Sequence, residues 1–440
     1  MSFCSMTIDW LKLDSKHCWH PFTQHGLDPE PLPVIGAQGA WLELANGQRL
    51  LDGISSWWAC LHGHGHPRLV KAITEQAAQL DHVLFAGCAH EPAARLSAEL
   101  VEHAAPLASQ ASPSGSQEPL ARVFWSDDGS TAVEVALKAA YQSHLRNGET
   151  SRTTFIALEG AYHGDTVGAM SASEPAPFFE ELSPFLFHVV RVKPNPEELA
   201  EAFADLEGRV AAFIFEPLVQ GAAGMKMYDS SFLKEAQGLC QENGAFMIAD
   251  EVLTGFGRTG TTFACEQANI SPDFLCLSKG LTGGTMPLAA TLCTEAIFQS
   301  FVSDERTQAF FHGHTYTANP IGCAVALESL RILREENTPQ KLAAIGARIE
   351  AGLADLRENP RVKDLRRRGG IVALELQAEK SGYMAELGSQ LRTACRNLDS
   401  VLLRPLGNVL YAMPPACTTN EECDRVVTAM QQVVNPLLDS

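Results

Sequence analysis

The chain predicts an α/β protein: a mostly parallel, doubly wound sheet in a large domain, joined to a smaller α+β domain. Three features of the chain carry that reading. From residue 121 to about 320, short apolar runs alternate with helix-like segments, the pattern of a sheet covered by helices on both faces. The runs RVFW, TTFIAL, AAFIFEP, AFMIADEV and FLCLSKG are apolar at successive positions, as strands buried on both faces are. Beyond residue 325 long helical segments give way to IVALELQ and a closing LLRPLGNVLYAMPP.

Taken in order, residues 1–65 are rich in Pro, Gly and Trp and are expected to join the small domain. Within them AWLELANGQRLLDG sets Asn46-Gly47 between alternating apolar residues, a two-residue hairpin signal. After Pro67, RLVKAITEQAAQL places Leu69, Ile73 and Leu80 near one helical face. ASQASPSGSQEP (108–119) has the Ser, Pro and Gly content of a surface loop. Residues 66–325 then form the large domain, with helices over ALKAAYQSHL and SFLKEAQGLCQENG, the second closed by Gly244. Residues 326–440 complete the small domain.

The bulk figures narrow the function classes. With 440 residues, 45% of them hydrophobic, the chain can bury a large core. Its net charge of −19 excludes nucleic acid and anionic membrane as expected partners. The 12 cysteines include no CxxC pair, so reduced thiols are expected rather than a metal site or a disulfide scaffold. The N-terminus lacks a basic region followed by an apolar core, and no apolar run reaches the ~18 residues of a membrane span. A soluble, cytoplasmic protein is expected.

The chemistry is written where apolar runs stop. FMIADEV ends in Asp250, and FLCLSKG ends in Lys279 followed at once by glycine. Ligands in open α/β sheets bind beyond the carboxyl ends of strands. Upstream, RVFW is followed by SDDGST and the helix-like AVEVALKAA, which puts Gly129, Ser130 and Thr131 at a helix N-terminus. Free N–H groups and the helix dipole favour a phosphate there, although Asp127, Asp128 or Ser130 could equally cap the helix. A carboxylate, an amine and a phosphate cradle together suit pyridoxal phosphate, which needs each of them. Taken singly, Asp250 also fits a metal ligand or a cap, and Lys279 fits an exposed surface amine.

Other motifs are read more plainly. GFGRTG (255–260) matches a dinucleotide fingerprint, but TTFACEQANISP after it makes a poor crossover helix. HGHGHP places His62, His64 and His66 on a glycine-rich turn with no acidic ligand expected beside them, a loop near the active site rather than a metal centre. Arg366, Arg367 and Arg368 read as a solvated charge run.

DDGSTAVEVALK, YHGDTVGAMS, FEPLVQGAAGM, IADEVLTGFGRTG, LSKGLTGG and HGHTYTANP resemble, in order and over nearly the whole chain, the class III (subgroup II) aminotransferases of PLP fold type I. The resemblance implies pyridoxal 5′-phosphate as cofactor, with no metal, and a homodimer with shared active sites. It implies that Lys279 holds the cofactor covalently and shuttles the proton, and that Asp250 pairs with the pyridine nitrogen. Gly129 and Ser130 would bind the phosphate, with His314 and Thr315 at the cofactor, Thr315 reaching across to the partner subunit's site. Tyr162 would stack on the ring and border the substrate. Arg404 would grip a substrate carboxylate, Trp57 would wall the same pocket, and Gly313 would lie in the loop completing it. Arg258 and Asp165 would line the entrance.

WHPF, DGISSWWACLHGHGHP and LLRPLGNVLYAMPP resemble those members that pass an amino group from S-adenosylmethionine to 8-amino-7-oxononanoate in biotin synthesis. Lysine as donor, or another class III ω-aminotransferase activity, are the alternatives. Phe22 stands where familiar members carry tyrosine, and His314 where they often carry proline, departures that bear on the donor.

Overall fold

In a computed structural model of the chain, which describes residues 9–111, 118–378 and 386–438, one sheet of seven strands forms the centre. Its strands are β1 (Leu120–Ser126), β2 (Thr154–Leu158), β3 (Val189–Val192), β4 (Val210–Phe215), β5 (Phe246–Asp250), β6 (Phe274–Leu277) and β7 (Ala289–Thr294). Their order across the sheet is β1-β7-β6-β5-β4-β2-β3. Every neighbouring pair from β6 to β3 is parallel, while β7 runs antiparallel to both β6 and β1.

Side chains alternate between the two faces of a strand, and here both faces are apolar. Ala212, Ile214, Ile248, Phe274 and Cys276 pack on one side with Ala132, Val133, Ala136 and Ala140 of the helix Gly129–Arg146. Phe213, Phe215, Met247, Ala249, Leu275 and Leu277 pack on the other with Phe232 and Leu233 of the helix Ser230–Asn243. That double burial is why the strands read as unbroken apolar runs. Gly244 ends the second helix in the left-handed region, as expected.

The five expected strands are all present, and β3 and β7 were missed. VVRV is short and carries an arginine, and AATLCT offers mostly small residues whose strand character comes from burial between β1 and β6.

The N-terminal hairpin is present as Trp41–Leu44 and Arg49–Asp52, but Leu44 N donates to Gln48 O, so its loop is the three residues 45–47 rather than the expected two. Its second strand pairs in parallel with Val401–Leu402, so the two ends of the chain share one small sheet. A second sheet follows from Val362–Arg368, Ile371–Leu376 and Val409–Ala412, all antiparallel. No helix among the described residues is long and apolar enough to cross a membrane.

Several expectations are corrected. The helix Pro67–Gln79 buries Leu69 against Val325 and Ile332, but Leu80 lies beyond its end in extended backbone. The helix Glu91–Ala111 runs through the start of the loop expected over 108–119, and residues 112–117 lie outside the described residues. The arginine run is no solvated face. Arg366 donates to the carbonyls of Gly224 and Met225 and pairs with Glu375, and Arg367 pairs with Glu350. Nor are the three histidines loose: His62 bonds Ser329, His64 pairs with Asp52 at 2.9 Å, and His66 lies 3.9 Å from Glu336.

Candidate active site

A cavity of about 810 Å³ opens at the carboxyl ends of β1, β2, β4, β5 and β6. Trp57, Gly129, Ser130, Tyr162, Asp165, Asp250, Lys279 and Arg404 all line it. Gly129, Ser130, Tyr162, Asp250 and Lys279 are gathered because the parallel strands of the large sheet point the same end outward, while Trp57 and Arg404 follow the paired strands Arg49–Asp52 and Val401–Leu402 of the small sheet.

At the end of β1 the chain turns into the helix Gly129–Arg146. Asp128 is its N-cap, accepting from Thr131 N at 2.9 Å, and Thr131 Oγ1 accepts from Asp128 N in return. Of the three candidates for the cap, Asp128 takes it, and this leaves the amides of Gly129 and Ser130 free for another acceptor. Gly129 has no room for a side chain, since a Cβ would stand 2.7 Å from Val252 Cγ1. The phosphate and cap readings are therefore compatible.

Asp250 closes β5. Its Oδ2 lies 2.7 Å from His163 Nδ1 and its Oδ1 accepts from Val252 N at 3.1 Å. His163, buried beside it, was not singled out from sequence; its place in YHGD after β2 was the available signal. Glu216, one residue past β4, was missed as well. Its carboxylate accepts from Tyr162 N at 3.0 Å and Gly221 N at 2.9 Å. Burial pushes its pKa up to about 7, with nearby Asp250 adding and His163 opposing.

Lys279 follows β6 in a left-handed conformation (φ 43°), a strain that persists where surroundings over-determine it. Withdrawal from solvent pulls its pKa down to about 8; Asp250 and Glu216 raise it in part, and Arg258 lowers it further. Its Nζ lies 4.4 Å from the ring centroid of Trp58, whose indole donates to Tyr411 Oη at 2.8 Å. Trp58, buried, rather than Trp57, is the tryptophan beside the amine.

Trp57 stands at the mouth, 44% exposed. Phe22 meets it edge-on at 5.5 Å, and the Arg404 guanidinium lies 5.3 Å from its ring. Arg404 donates to the Phe22 carbonyl at 3.4 Å, and no carboxylate among the described residues pairs with it. Tyr162 donates to Asp165 Oδ1 at 2.9 Å and stacks on Phe179 at 6.1 Å.

Four expected residues do not line this cavity. Arg258 is not at the entrance: 1% exposed, it donates to the carbonyls of Pro414 at 3.3 Å and Trp58 at 3.2 Å, behind the wall. The turn before it is folded inward, with Phe256 and Gly257 both at positive φ. Gly313, His314 and Thr315 lie on a segment outside the lining, with Thr315 exposed and His314 Nε2 3.7 Å from Asp127 Oδ1.

A family profile described as Aminotransferase class-III matches residues 22–434. The chain belongs to the class-III aminotransferases. Among its relatives, the adenosylmethionine-8-amino-7-oxononanoate aminotransferase of Synechococcus elongatus is 45% identical, covering 96% of this chain and 99% of that one. The enzyme of that name from Geobacter sulfurreducens is 37% identical over 97% of each. Among solved structures, that from Methanocaldococcus jannaschii aligns with a TM-score of 0.90 at 33% identity, over 97% of this chain and 98% of that one. An amine transaminase from an uncultivated Pseudomonas species, in a PLP-bound form, aligns with a TM-score of 0.85 at 30% identity, over 95% and 98%. The class-III fold and the mostly parallel sheet agree with the expectation from sequence.

Proposed function

We propose that this class-III aminotransferase uses pyridoxal 5′-phosphate to move the amino group of S-adenosylmethionine to 8-amino-7-oxononanoate, giving 7,8-diaminononanoate for biotin synthesis. The carrying observation is that Lys279, Asp250 and the free amides of Gly129 and Ser130 line one cavity whose mouth bears Trp57 and an unpaired Arg404.

The donor set fits the cofactor. When bound, pyridoxal phosphate supplies an aldehyde carbon and an electron-accepting ring. The amides of Gly129 and Ser130 would hold the phosphate at the helix N-terminus, where a side chain at position 129 would not fit. Asp250, oriented by His163 and Val252 N, would pair with the pyridine nitrogen and keep it protonated. Tyr162, held by Asp165, borders the ring and the substrate. Lys279, with its lowered pKa, would carry a proton from the donor's α-carbon to the cofactor's aldehyde carbon in the first half of the exchange, and from that carbon to the acceptor's in the second.

The acceptor is a long apolar chain ending in a carboxylate. Trp57 supports the chain, and the Arg404 guanidinium takes the carboxylate, a charge-assisted pairing. A homodimer with shared active sites accompanies this reading, with Thr315 serving the cofactor across the interface and His314 at the cofactor. The exposed Phe311 and Tyr316 on the same segment support it.

The donor has a second reading. Phe22 sits against Trp57 and Arg404 with no hydroxyl to offer, which favours lysine as donor within the same pathway. The test is the visible absorbance of the purified, cofactor-loaded protein after S-adenosylmethionine or lysine is added alone. Bleaching by S-adenosylmethionine alone supports the first reading, and bleaching by lysine alone the second. No bleaching by either overturns both.

A further inference from the structure

Outside the cavity, one cluster places a thiol, an imidazole and a carboxylate in line. Cys60 Sγ lies 3.5 Å from His64 Nδ1, and His64 Nε2 lies 2.9 Å from Asp52 Oδ2. The three groups lie close enough together to share an ion. However, the two ring nitrogens face opposite ways, one to sulfur and one to carboxylate, which makes a relay rather than a chelate. We propose that Cys60 is a modification site, a thiol activated by His64 that reacts with small electrophiles and peroxide-class oxidants.

The physical case rests on what surrounds the sulfur. Asp52 is fully buried and bonded to His64, so it holds the ring as an imidazolium, with both N–H groups donating. The hydrogen bonds to Asp52 and then Cys60 raise the pKa of His64 to about 10. A cation donating a hydrogen bond to sulfur stabilises the negative charge the sulfur carries as it attacks. Arg258, buried behind Trp58, is a second cation that acts on both Cys60 and Asp52. Cys417 is a further titratable neighbour, its sulfur packed against Gly63. By contrast, burial pushes the thiols of Cys240, Cys265 and Cys276 well up, as inert core cysteines. Cys60 is 8% exposed, so only a small reagent reaches it.

With a peroxide, the thiolate sulfur attacks one oxygen: an S–O bond forms and the O–O bond breaks. Sulfur is oxidised by two electrons to the sulfenic acid. The departing hydroxide takes the His64 proton and leaves as water. With iodoacetamide, an S–C bond forms and iodide leaves with the C–I pair. The site adjoins the substrate cavity: Asp52 also accepts from Ser56 N at 2.8 Å and Ser56 Oγ at 2.9 Å, holding the strained turn that carries Trp57 and Trp58.

The test is iodoacetamide labelling of the full chain, read cysteine by cysteine by mass spectrometry across pH, with N-acetylcysteine as reference in the same tube. An ordinary thiol gains about tenfold in rate per pH unit below its pKa of about 8.5. Cys60 is expected to label at pH 6 at least as fast as the reference despite its burial, and His64→Gln to lower that rate by about tenfold or more. A Cys60 rate well below the reference at pH 6, or no labelling at Cys60, overturns the proposal, as does a rate unchanged in folded His64→Gln. Should that variant not fold, the wild-type rate decides alone. The readout is a mass, independent of the reaction proposed for the cavity.

Discussion

Lys279 is the residue on which the proposed chemistry turns, and its surroundings set its behaviour. An amine drawn down to about 8 from 10.5 is substantially neutral at mildly alkaline pH. Uptake of pyridoxal phosphate by the apo-protein is therefore expected to speed up as pH rises and to level off above about 8. Stopped-flow absorbance checks it, and a midpoint near the ordinary lysine value of 10.5 would contradict the enclosure described here. Lys279→Ala is expected to lose turnover while still retaining cofactor noncovalently through Asp250 and the amides of Gly129 and Ser130. Gel filtration with absorbance of the eluted protein separates that from simple misfolding. At the mouth, Arg404→Ala removes a charge-assisted hydrogen bond of about 1.5–3 kcal/mol. That corresponds to a loss of about ten- to hundredfold in kcat/KM for the acceptor, with the half-reaction of the donor much less affected.

Among the elements, the helix Gly129–Arg146 does two jobs with one terminus. Asp128 satisfies the Thr131 amide, and the first two amides remain for an anion. Asp128→Ala is expected to cost about 1 kcal/mol in denaturant stability, and to weaken cofactor binding because the terminus frays. Gly129→Ala tests the cradle more directly, since its methyl meets Val252 at 2.7 Å. The expected result is loss of cofactor affinity exceeding any loss of stability, measured by titration of the apo-protein and by urea unfolding. The turn from Ile54 to Trp58 is the other element of note. Three of its residues hold positive φ, and the buried Asp52 carboxylate ties it to His64.

For the molecule as a whole, that ion pair links stability to pH. The folded-state pKa of His64 is raised from 6.5 to about 10. Its contribution is complete below 6.5 and is lost as pH rises through about 10. Thermal unfolding of the wild type should lose stability over that window, and His64→Gln should flatten the loss. The remaining whole-molecule expectation concerns association. Phe311 is 77% exposed and Tyr316 59%, on the segment that bears Thr315. Phe311→Asp is expected to shift the proposed dimer toward monomer in sedimentation, with loss of cofactor. A variant that stays dimeric and fully loaded would remove this face from the proposed interface.

The sequence by itself determined the strands buried on both faces and the residues at their ends. Apolar runs record double burial directly, so Asp250, Lys279 and the Gly129–Ser130 turn were legible as neighbours of one crevice. It also determined the hairpin at Asn46-Gly47 and the Gly244 stop, because those rest on local backbone preference. Only the tertiary structure decided which side chains face the cavity from distant segments. Arg258 was expected at an entrance and is buried, because whether a guanidinium meets carbonyls or solvent depends on how the 255–260 turn folds against Pro414 and Trp58. His163, Glu216 and Trp58 went unread, since one-letter context does not record the partner that gives each its role. His64 likewise gained its meaning from Asp52, twelve residues earlier, a pairing that the periodicity of strand or helix does not encode.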